Sequence, residues 1–254
     1  MTRRRLLLLS NSRDTDGRFL EHPRHEIRDF LGPGVRAVVF VPFAGVMTLH
    51  ADYTALAAGP FGEMGYALRS ADDAKDAKGM VRDAEAIVVG GGNTFQLLKR
   101  LYETGLLEAI REHVESGRPY IGWSAGAVIA GPTIRTTNDM PIVESPSLDA
   151  LGAVPFQINA HYTDVHPPGH QGETRAERLA EFLEVNRESE VIGLREGAML
   201  RIEHGVMRLA GAGAKLFRHG QETTEYQPEE SMAMSKAMKT MGALAEHASS
   251  AVPR

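Results

Sequence analysis

The sequence predicts an α/β fold of three layers, in which a mainly parallel sheet is flanked by helices and followed by a C-terminal β-meander. Short apolar runs of strand length recur along the chain, bounded by polar or glycine-rich turns, as in strands buried on both faces. Segments of helical length separate these runs, and this alternation is typical of βαβ units. Towards the end, glycine-containing turns divide residues 198–217 into closely spaced apolar runs, which favours a meander.

The individual elements follow from the same patterns. Gly32-Pro33-Gly34 ends the first helix, and Pro42-Phe43-Ala44-Gly45 ends the second strand. Predicted strands cover residues 6–9, 35–41, 66–68, 86–89, 119–121, 154–159 and 191–194. Predicted helices cover residues 19–31, 49–58, 95–101, 106–114, 127–130 and 173–185.

Composition excludes several classes of protein. The chain has 254 residues, of which 43% are hydrophobic, and this is ample for a core. A net charge of −5 argues against general nucleic-acid binding, which favours a basic face. The sequence contains no cysteine, which removes disulfides and thiolate chemistry and fits a reducing compartment.

The two ends of the chain give further expectations. Thr2 to Arg5 and the leucines after them resemble a signal peptide, but the apolar run is too short and no run reaches transmembrane length. We therefore expect a cytoplasmic protein without membrane contact. We expect residues 1–227 to form a single α/β domain, and residues 228–254 to form a helical or disordered tail.

A glycine-flanked serine stands between the strand that ends near Ile121 and the predicted helix after it. Gly122-Trp123-Ser124-Ala125-Gly126 matches G-x-S-x-G, the pattern of a nucleophile elbow. In such an elbow the turn exposes the serine Oγ above the sheet, and the next backbone N–H faces a developing oxyanion. An ordinary strand–helix junction of small residues is the alternative interpretation.

Three glycines, Gly90-Gly91-Gly92, follow another buried strand. The spacing matches neither G-x-x-x-x-G-K-[ST] nor G-x-G-x-x-G, so the run does not predict a phosphate site. Backbone amides beside a nucleophile serve equally well in an oxyanion hole, and a tight strand–helix turn is the simpler alternative.

A serine nucleophile needs a base, and histidine has a suitable pKa. The chain offers six histidines after Ser124: His161, His166, His170, His204, His219 and His247. His161 is favoured because it follows an apolar run and should stand at a strand end. His166 and His170 have a helical metal-ligand spacing, but the intervening Pro167-Pro168-Gly169 prevents a helix, and we expect no metal site.

Several blocks in this order resemble peptidase E, the α-aspartyl dipeptidase family. They are Val89 to Leu98, Gly122 to Ala127, Asn138 to Pro141, Asn159 to Thr163, Gly169 to Arg175 and Gly193 to Gly197. The resemblance implies a class I glutamine amidotransferase-like (flavodoxin-like) fold in which a serine replaces the cysteine. It also implies hydrolysis of dipeptides with an N-terminal aspartate, with no metal or cofactor, by a monomer or homodimer.

The resemblance assigns catalytic roles to particular residues. It implies that Ser124 is the nucleophile, His161 the base and Glu196 the acid that orients the base, with Asp139 as the alternative acid. The backbone amides of Gly92 and Ala125 would form the oxyanion hole. The family leads us to expect a proline before the glutamate, where this chain has Arg195.

The resemblance also implies two substrate-binding residues. Arg175 would hold the aspartyl side chain, since a planar guanidinium matches a carboxylate with two hydrogen bonds. Its place at a predicted helix start, where a cation gains nothing from the helix dipole, gives this role mild independent support. Trp123 would form a wall of the pocket.

Three alternatives stay open. The first is a cyanophycinase-like hydrolase of β-aspartyl linkages. The second is an α/β-hydrolase esterase, whose chain order would require Asp139 or Asp149 followed by His219. The third is a ligand-binding relative that has lost catalysis.

Overall fold

The computed structural model describes residues 4–166, 168–169, 171–229 and 231–232. Its α/β architecture confirms the predicted fold class. The strands in these ranges are β1 (Arg5–Leu9), β2 (Ala37–Val41), β3 (Ala67–Ser70), β4 (Ile87–Val89), β5 (Pro119–Trp123), β6 (Gln157–Tyr162), β7 (Glu190–Arg195), β8 (Met199–Glu203), β9 (Val206–Ala210), β10 (Ala214–Arg218), β11 (Thr224–Tyr226) and β12 (Ser231–Met232). The helices are α1 (Arg24–Leu31), α2 (His50–Glu63), α3 (Ala77–Asp83), α4 (Thr94–Thr104), α5 (Leu106–Glu115), α6 (Ala125–Val128) and α7 (Arg175–Val185).

The larger sheet has the strand order β12-β9-β8-β1-β5-β4-β2-β3. Its five strands from β1 to β3 in this order run parallel, and β8, β9 and β12 extend it antiparallel beyond β1. Strand β1 lies between β5 and β8 and is buried on both faces. This position explains its unbroken run of leucines.

Helices cover both faces of the larger sheet. On one face, Leu7 and Leu9 pack in a cluster with Ile27 and Phe30 of α1 and with residues of α2. On the other face, Leu6 and Leu8 belong to a cluster that includes residues of α3, α4, α5 and α6. This arrangement gives the predicted three layers.

A second sheet of four strands, in the order β11-β10-β7-β6, joins this core. Strands β6 and β7 are parallel, whereas β7, β10 and β11 are antiparallel neighbours. Ile158 and Ile192 belong to the same core cluster as α6, and Leu179 of α7 packs with Val191 and Phe217 in a separate cluster. The second sheet is therefore covered on both faces.

The predicted C-terminal β-meander contains strands in the expected places but differs in its pairing. Strands β8 and β9 form an antiparallel hairpin within the larger sheet. Strand β10 pairs instead with β7 of the second sheet, because the chain crosses between the sheets at Gly211. Gly211 has φ +77°, and a Cβ there would lie 2.1 Å from the Gly197 oxygen. The glycine signals predict the turn but not the sheet that the next strand joins.

Several boundaries also differ from prediction. The first helix begins at Arg24 because residues 19 and 20 pair with the loop after β1, where Leu20 N–H donates to Ser12 O at 2.7 Å. Helix α2 continues through Pro60 to Glu63. Helix α7 begins at Arg175 because Thr174 caps it.

The expected tail is described only in part. Ser231–Met232 form a two-residue strand against β9, where helix or disorder was expected. Residues 233–254 lie outside the described residues. None of the helices in the described ranges is both long and apolar enough to cross a membrane.

Candidate active site

A cleft of about 810 Å³ opens at the carboxyl ends of parallel strands β1, β2, β4 and β5. The segments that follow these four strands line it, and Ser124, His161 and Asp139 all contribute to its surface. Ligands of open parallel sheets bind at this edge, because loops from neighbouring strands converge there.

Ser124 occupies a sharp turn between β5 and α6. Its backbone lies at φ 52° and ψ −114°, a conformation that a residue with a side chain rarely adopts. The flanking glycines are required by close approach: a Cβ at Gly122 would lie 2.3 Å from the Gly126 oxygen, and a Cβ at Gly126 would lie 2.2 Å from the Val89 oxygen. The G-x-S-x-G pattern therefore forms a strained elbow rather than an ordinary junction.

His161 reaches Ser124 from the second sheet. The pairing of β6 with β7 is irregular between Asn159 and Tyr162, and His161 has φ 55°. Its backbone N–H donates to Ser10 Oγ at 2.9 Å, and Ser10 Oγ donates to Leu194 O at 2.8 Å. Held in this way, the imidazole places Nε2 2.9 Å from Ser124 Oγ.

Glu196 approaches the other imidazole nitrogen, with Oε1 2.5 Å from His161 Nδ1. It lies in the turn that joins β7 to β8, where Ala198 N–H donates to Arg195 O and Gly197 adopts φ +81°. Gly197 N–H donates to Asn11 Oδ1 at 2.7 Å, which fixes this turn to the loop after β1. The serine, histidine and glutamate thus lie in one continuous hydrogen-bonded line.

Arg195, in the position where the resemblance suggests a proline, anchors the same turn. Its guanidinium contacts Asp164 Oδ2 through Nε at 2.8 Å and Nη2 at 2.6 Å, and it also binds Glu225. Hydrogen bonds with Glu225 and Asp164 raise the pKa of Arg195, although partial burial opposes the shift. Burial also opposes the charge of Asp164, yet hydrogen bonds from Lys215 and Arg195 lower its pKa to about 2. This cluster braces the backbone next to Glu196.

Asp139, the alternative acid, contacts the start of α4 instead of the histidine. Its Oδ2 accepts hydrogen bonds from Thr94 N–H at 2.7 Å and Thr94 Oγ1 at 2.5 Å. Thr137 Oγ1 lies 3.2 Å from the same oxygen. Asp139 thus stabilises a helix N-terminus at the rim of the cleft, as carboxylates commonly do.

The two predicted oxyanion donors flank the serine. Ala125 follows it directly and is the first residue of α6, so its N–H has no acceptor inside that helix. Gly92 lines the cleft with φ +137°, and a Cβ there would lie 2.1 Å from the Ala44 oxygen. Only glycine fits at this position without displacing the neighbouring backbone.

Arg175 lies behind the cleft rather than on its surface. Its Nη1 donates to Asn138 Oδ1 at 2.6 Å, and Asn159 Nδ2 donates to the same oxygen at 2.8 Å. Partial burial and the nearby Arg178 lower the pKa of Arg175, and the charge of Asp139 opposes this shift. Asn138, which we did not assign a role from the sequence, is the residue that joins Arg175 to the strand of His161.

Trp123 is fully buried, and it is among the residues that line the cleft. Its Nε1–H donates to Tyr53 Oη at 2.9 Å, and Tyr53 Oη donates to Gly91 O at 3.1 Å. Burial raises the pKa of Tyr53 to about 12, so the phenol stays protonated and able to donate. The pair holds the glycine turn next to Gly92.

Sequence reasoning missed Ser10 and Tyr53. Ser10 could have been found, since it directly follows the first buried strand at the edge where the functional residues gather. Tyr53 carries no such signal, because its partners lie far away along the chain.

His219, which the esterase alternative requires, lies with Nε2 3.2 Å from Glu184 Oε2, and His161 takes the position beside Ser124. In the described ranges, which omit His170, no group of three or more histidines, cysteines or acids could hold a metal.

Comparison with solved structures shows that the fold occurs in another protein. The crystal structure of a peptidase from an acI-B1 Actinobacterium matches with a TM-score of 0.70 at 19% identity, covering 91% of this chain and 96% of that one. At this identity the likeness shows a shared fold.

Sequence comparison gives the family. A protein of Nostoc sp. named Peptidase E is 46% identical over 230 residues, which are 90% of this chain and 95% of the relative. A Peptidase E of Streptomyces coelicolor is 49% identical over 217 residues, 85% of this chain and 88% of the relative. The model of peptidase family S51 matches residues 6–210. The resemblance to peptidase E is confirmed: this chain belongs to peptidase family S51.

Proposed function

We propose that this S51 peptidase hydrolyses dipeptides with an N-terminal aspartate through an acyl-enzyme. The observation that carries the proposal is the line of hydrogen bonds from Ser124 Oγ through His161 to Glu196, with lengths of 2.9 and 2.5 Å. A nucleophile, a base and an acid that orients the base are the parts that serine peptidases require. Residues 1–227 form one hydrolytic domain in this proposal.

In the first half of the reaction, Ser124 Oγ attacks the carbonyl carbon of the aspartyl residue while His161 Nε2 accepts the serine proton. The negative oxygen of the tetrahedral intermediate receives hydrogen bonds from the backbone amides of Gly92 and Ala125. When the carbon–nitrogen bond breaks, His161 donates its proton to the leaving amine. Glu196 accepts the hydrogen bond of Nδ1–H and stabilises the imidazolium that forms.

In the second half, water replaces the leaving amine beside His161. His161 Nε2 takes a proton from the water as its oxygen attacks the ester carbonyl. Collapse of this second intermediate returns the proton to Ser124 Oγ and releases free aspartate. These residues alone complete the proton transfers, so the proposal needs no metal or cofactor.

We assign the recognition of the aspartyl side chain to Arg175. Its long side chain lies behind the cleft beside Asn138 and Asp139, and a guanidinium binds a carboxylate with two hydrogen bonds. We propose that substrate draws the guanidinium from Asn138 Oδ1 into the cleft. Trp123 forms part of the pocket wall in this proposal, together with Tyr53, to which it donates a hydrogen bond.

The test is the cleavage of four peptides, Asp-Leu, Asn-Leu, Glu-Leu and β-linked Asp-Leu, by the parent and by Ser124→Ala. We expect the parent to prefer α-linked Asp-Leu, and Ser124→Ala to lose about 10⁴-fold or more in kcat. Ser189→Ala is the matched control. Ser189 precedes β7, at the end of the strand far from Glu196, so this variant should retain the parent's kcat.

Other outcomes would remove parts of the proposal. Unchanged turnover by Ser124→Ala would remove the serine mechanism, and equal activity on the first three peptides would remove the role of Arg175. Preference for the β-linked peptide would establish the cyanophycinase-like alternative. Folded parent protein that fails to react with a fluorophosphonate would favour the non-catalytic alternative. The cytoplasmic location and the monomer or homodimer state stay predictions.

A further inference from the structure

Arg13, unlike Arg175, lines the cleft itself, and it has no acidic partner among the described residues. It lines the same cleft as Ser124 and His161, and among the described residues no carboxylate lies within 4.0 Å of its guanidinium. Arg18 in the same loop differs, because it pairs with Asp14 at 2.8 Å and with Asp16 at 3.1 Å. An unneutralised cation facing a substrate cleft is a binding group for an anion.

Contacts within the protein hold Arg13 in one position. Its Nη1 donates to Gly17 O at 2.7 Å, and its Cζ lies 5.6 Å from the centre of the Phe19 ring. Asn11 Nδ2 donates to the Arg13 carbonyl oxygen at 2.6 Å, which fixes the backbone. These contacts use one of the two terminal nitrogens and leave the other edge of the guanidinium for a ligand.

The same contacts connect Arg13 to the nucleophile. The Phe19 ring lies edge-on to Trp123 with centroids 5.9 Å apart, and Trp123 directly precedes Ser124. The positive charge of Arg13 also acts on Tyr53, whose pKa it lowers against the larger opposing effect of burial. Arg13 therefore stands on the wall beside the elbow.

The order of the strands shows on which side of Ser124 Arg13 lies. Strand β5 ends at Trp123, directly before Ser124, and lies between β1 and β4. Arg13 follows β1, whereas Asp139 contacts Thr94 in the segment after β4. A dipeptide bound across Ser124 thus has one end towards Arg13 and the other towards Asp139 and Arg175.

We infer that Arg13 binds the C-terminal carboxylate of the leaving residue. The inference rests on the proposed function, in which Arg175 takes the aspartyl side chain on the β4 side. An Asp-X dipeptide carries two carboxylates, one on the aspartyl side chain and one at the C-terminus, and the cleft region supplies one arginine on each side of the nucleophile. Arg13 thus makes the enzyme select substrates that end directly after the leaving residue.

The experiment compares Asp-Leu with its carboxamide, Asp-Leu-NH₂, which differs only in the terminal charge. For each protein the measured quantity is the ratio of kcat/KM for the acid to kcat/KM for the amide. We expect the parent to favour the acid, and Arg13→Gln to lower the ratio roughly 10- to 100-fold, mainly through KM of the acid. Arg18→Gln is the control variant and should keep the parent's ratio.

Three other results would contradict the inference. If Arg13→Gln lowers both rates equally, Arg13 acts on the aspartyl residue or on the fold, and the inference is wrong. A parent that cleaves both peptides equally well would also overturn it. A parent that cleaves neither peptide removes the proposed function and the inference together. Circular dichroism of the variants verifies that they are folded.

Discussion

The hydrogen bond between His161 and Glu196 lies at the mouth of the cleft. The side chains remain 42% and 60% exposed, so solvent screens the interaction of their charges. An exposed pair of this kind contributes little to stability. In the proposed mechanism, Glu196 therefore serves to orient the imidazole rather than to stabilise the fold.

We predict that Glu196→Gln lowers kcat by about 10²- to 10⁴-fold, because an amide no longer fixes the imidazole in the form that accepts the serine proton. The free energy of unfolding should change little. Steady-state kinetics on Asp-Leu and urea unfolding measure the two quantities.

Asp139→Asn is the matched comparison for Glu196→Gln. It weakens the cap of α4 and should lower stability by about 0.5 to 2 kcal/mol, with a smaller effect on kcat. A larger loss of kcat in Asp139→Asn than in Glu196→Gln would make Asp139 the third member.

At the residue scale, the sequence was most informative where functional residues lie within short motifs. The glycine pattern around Ser124 and the apolar run before His161 are local signals, and Glu196 lies in one of the short blocks that resemble peptidase E. Arg13 and Tyr53 do not, because their roles depend on contacts with residues distant along the chain.

The glycine turn after β4 is the element that shapes the proposed oxyanion site. Its last residue, Gly92, faces the carbonyl oxygen of Ala44, and Asn93 N–H donates to that oxygen at 2.9 Å. A side chain at Gly92 would push the turn away from the neighbouring segment after β2.

We therefore predict that Gly92→Ala lowers kcat by about 10²-fold or more, the cost of losing one oxyanion donor. Its unfolding free energy should also fall by about 1 to 3 kcal/mol because of backbone strain. Gly59→Ala in α2 is the control, since a Cβ there contacts nothing within 4 Å. Retention of the parent's kcat by Gly92→Ala would show that the turn is not part of the site.

A buried histidine links α5 to β5, the strand that precedes Ser124. His113 is fully buried, and its Nε2 lies 3.0 Å from Pro119 O at the start of β5. Burial lowers the pKa of His113 to about 4. The unfolded chain therefore binds this proton at a higher pH than the folded protein does.

This difference predicts an acid-dependent loss of stability. The contribution of neutral His113 is complete above its unfolded pKa of about 6.5 and is lost as the pH falls towards 4, at a cost of about 3 kcal/mol. Urea unfolding near pH 7 and near pH 4 should show a smaller decline for His113→Gln than for the parent. The exposed His25→Gln is the control, and an equal decline in all three proteins would contradict the prediction.

The presence of most elements could be predicted from apolar runs, but their ends and partners could not. The first helix begins later than its pattern suggests because Phe19 and Leu20 pair with the loop after β1. Strand β10 has the alternation of a meander strand yet pairs with β7. Both outcomes depend on tertiary contacts, which periodicity does not encode.

At the scale of the whole molecule, the site spans both sheets. Ser124 follows β5 of the larger sheet, whereas His161 and Glu196 come from β6 and from the end of β7 in the second sheet. The sequence predicted a single sheet and could not show this division. Ser10 is one direct connection, because it accepts from His161 N–H and donates to Leu194 O.

Because the site is divided between two sheets, we expect turnover to depend on how the sheets pack against each other. A displacement of about 1 Å between the sheets would separate the serine from its base, although every helix and strand would persist. We predict that urea abolishes turnover at concentrations lower than those that reduce the far-ultraviolet dichroism. Coincident curves would mean that the sheets part only when the whole molecule unfolds. Turnover would then report on global folding alone, and not on how the two halves of the site are docked.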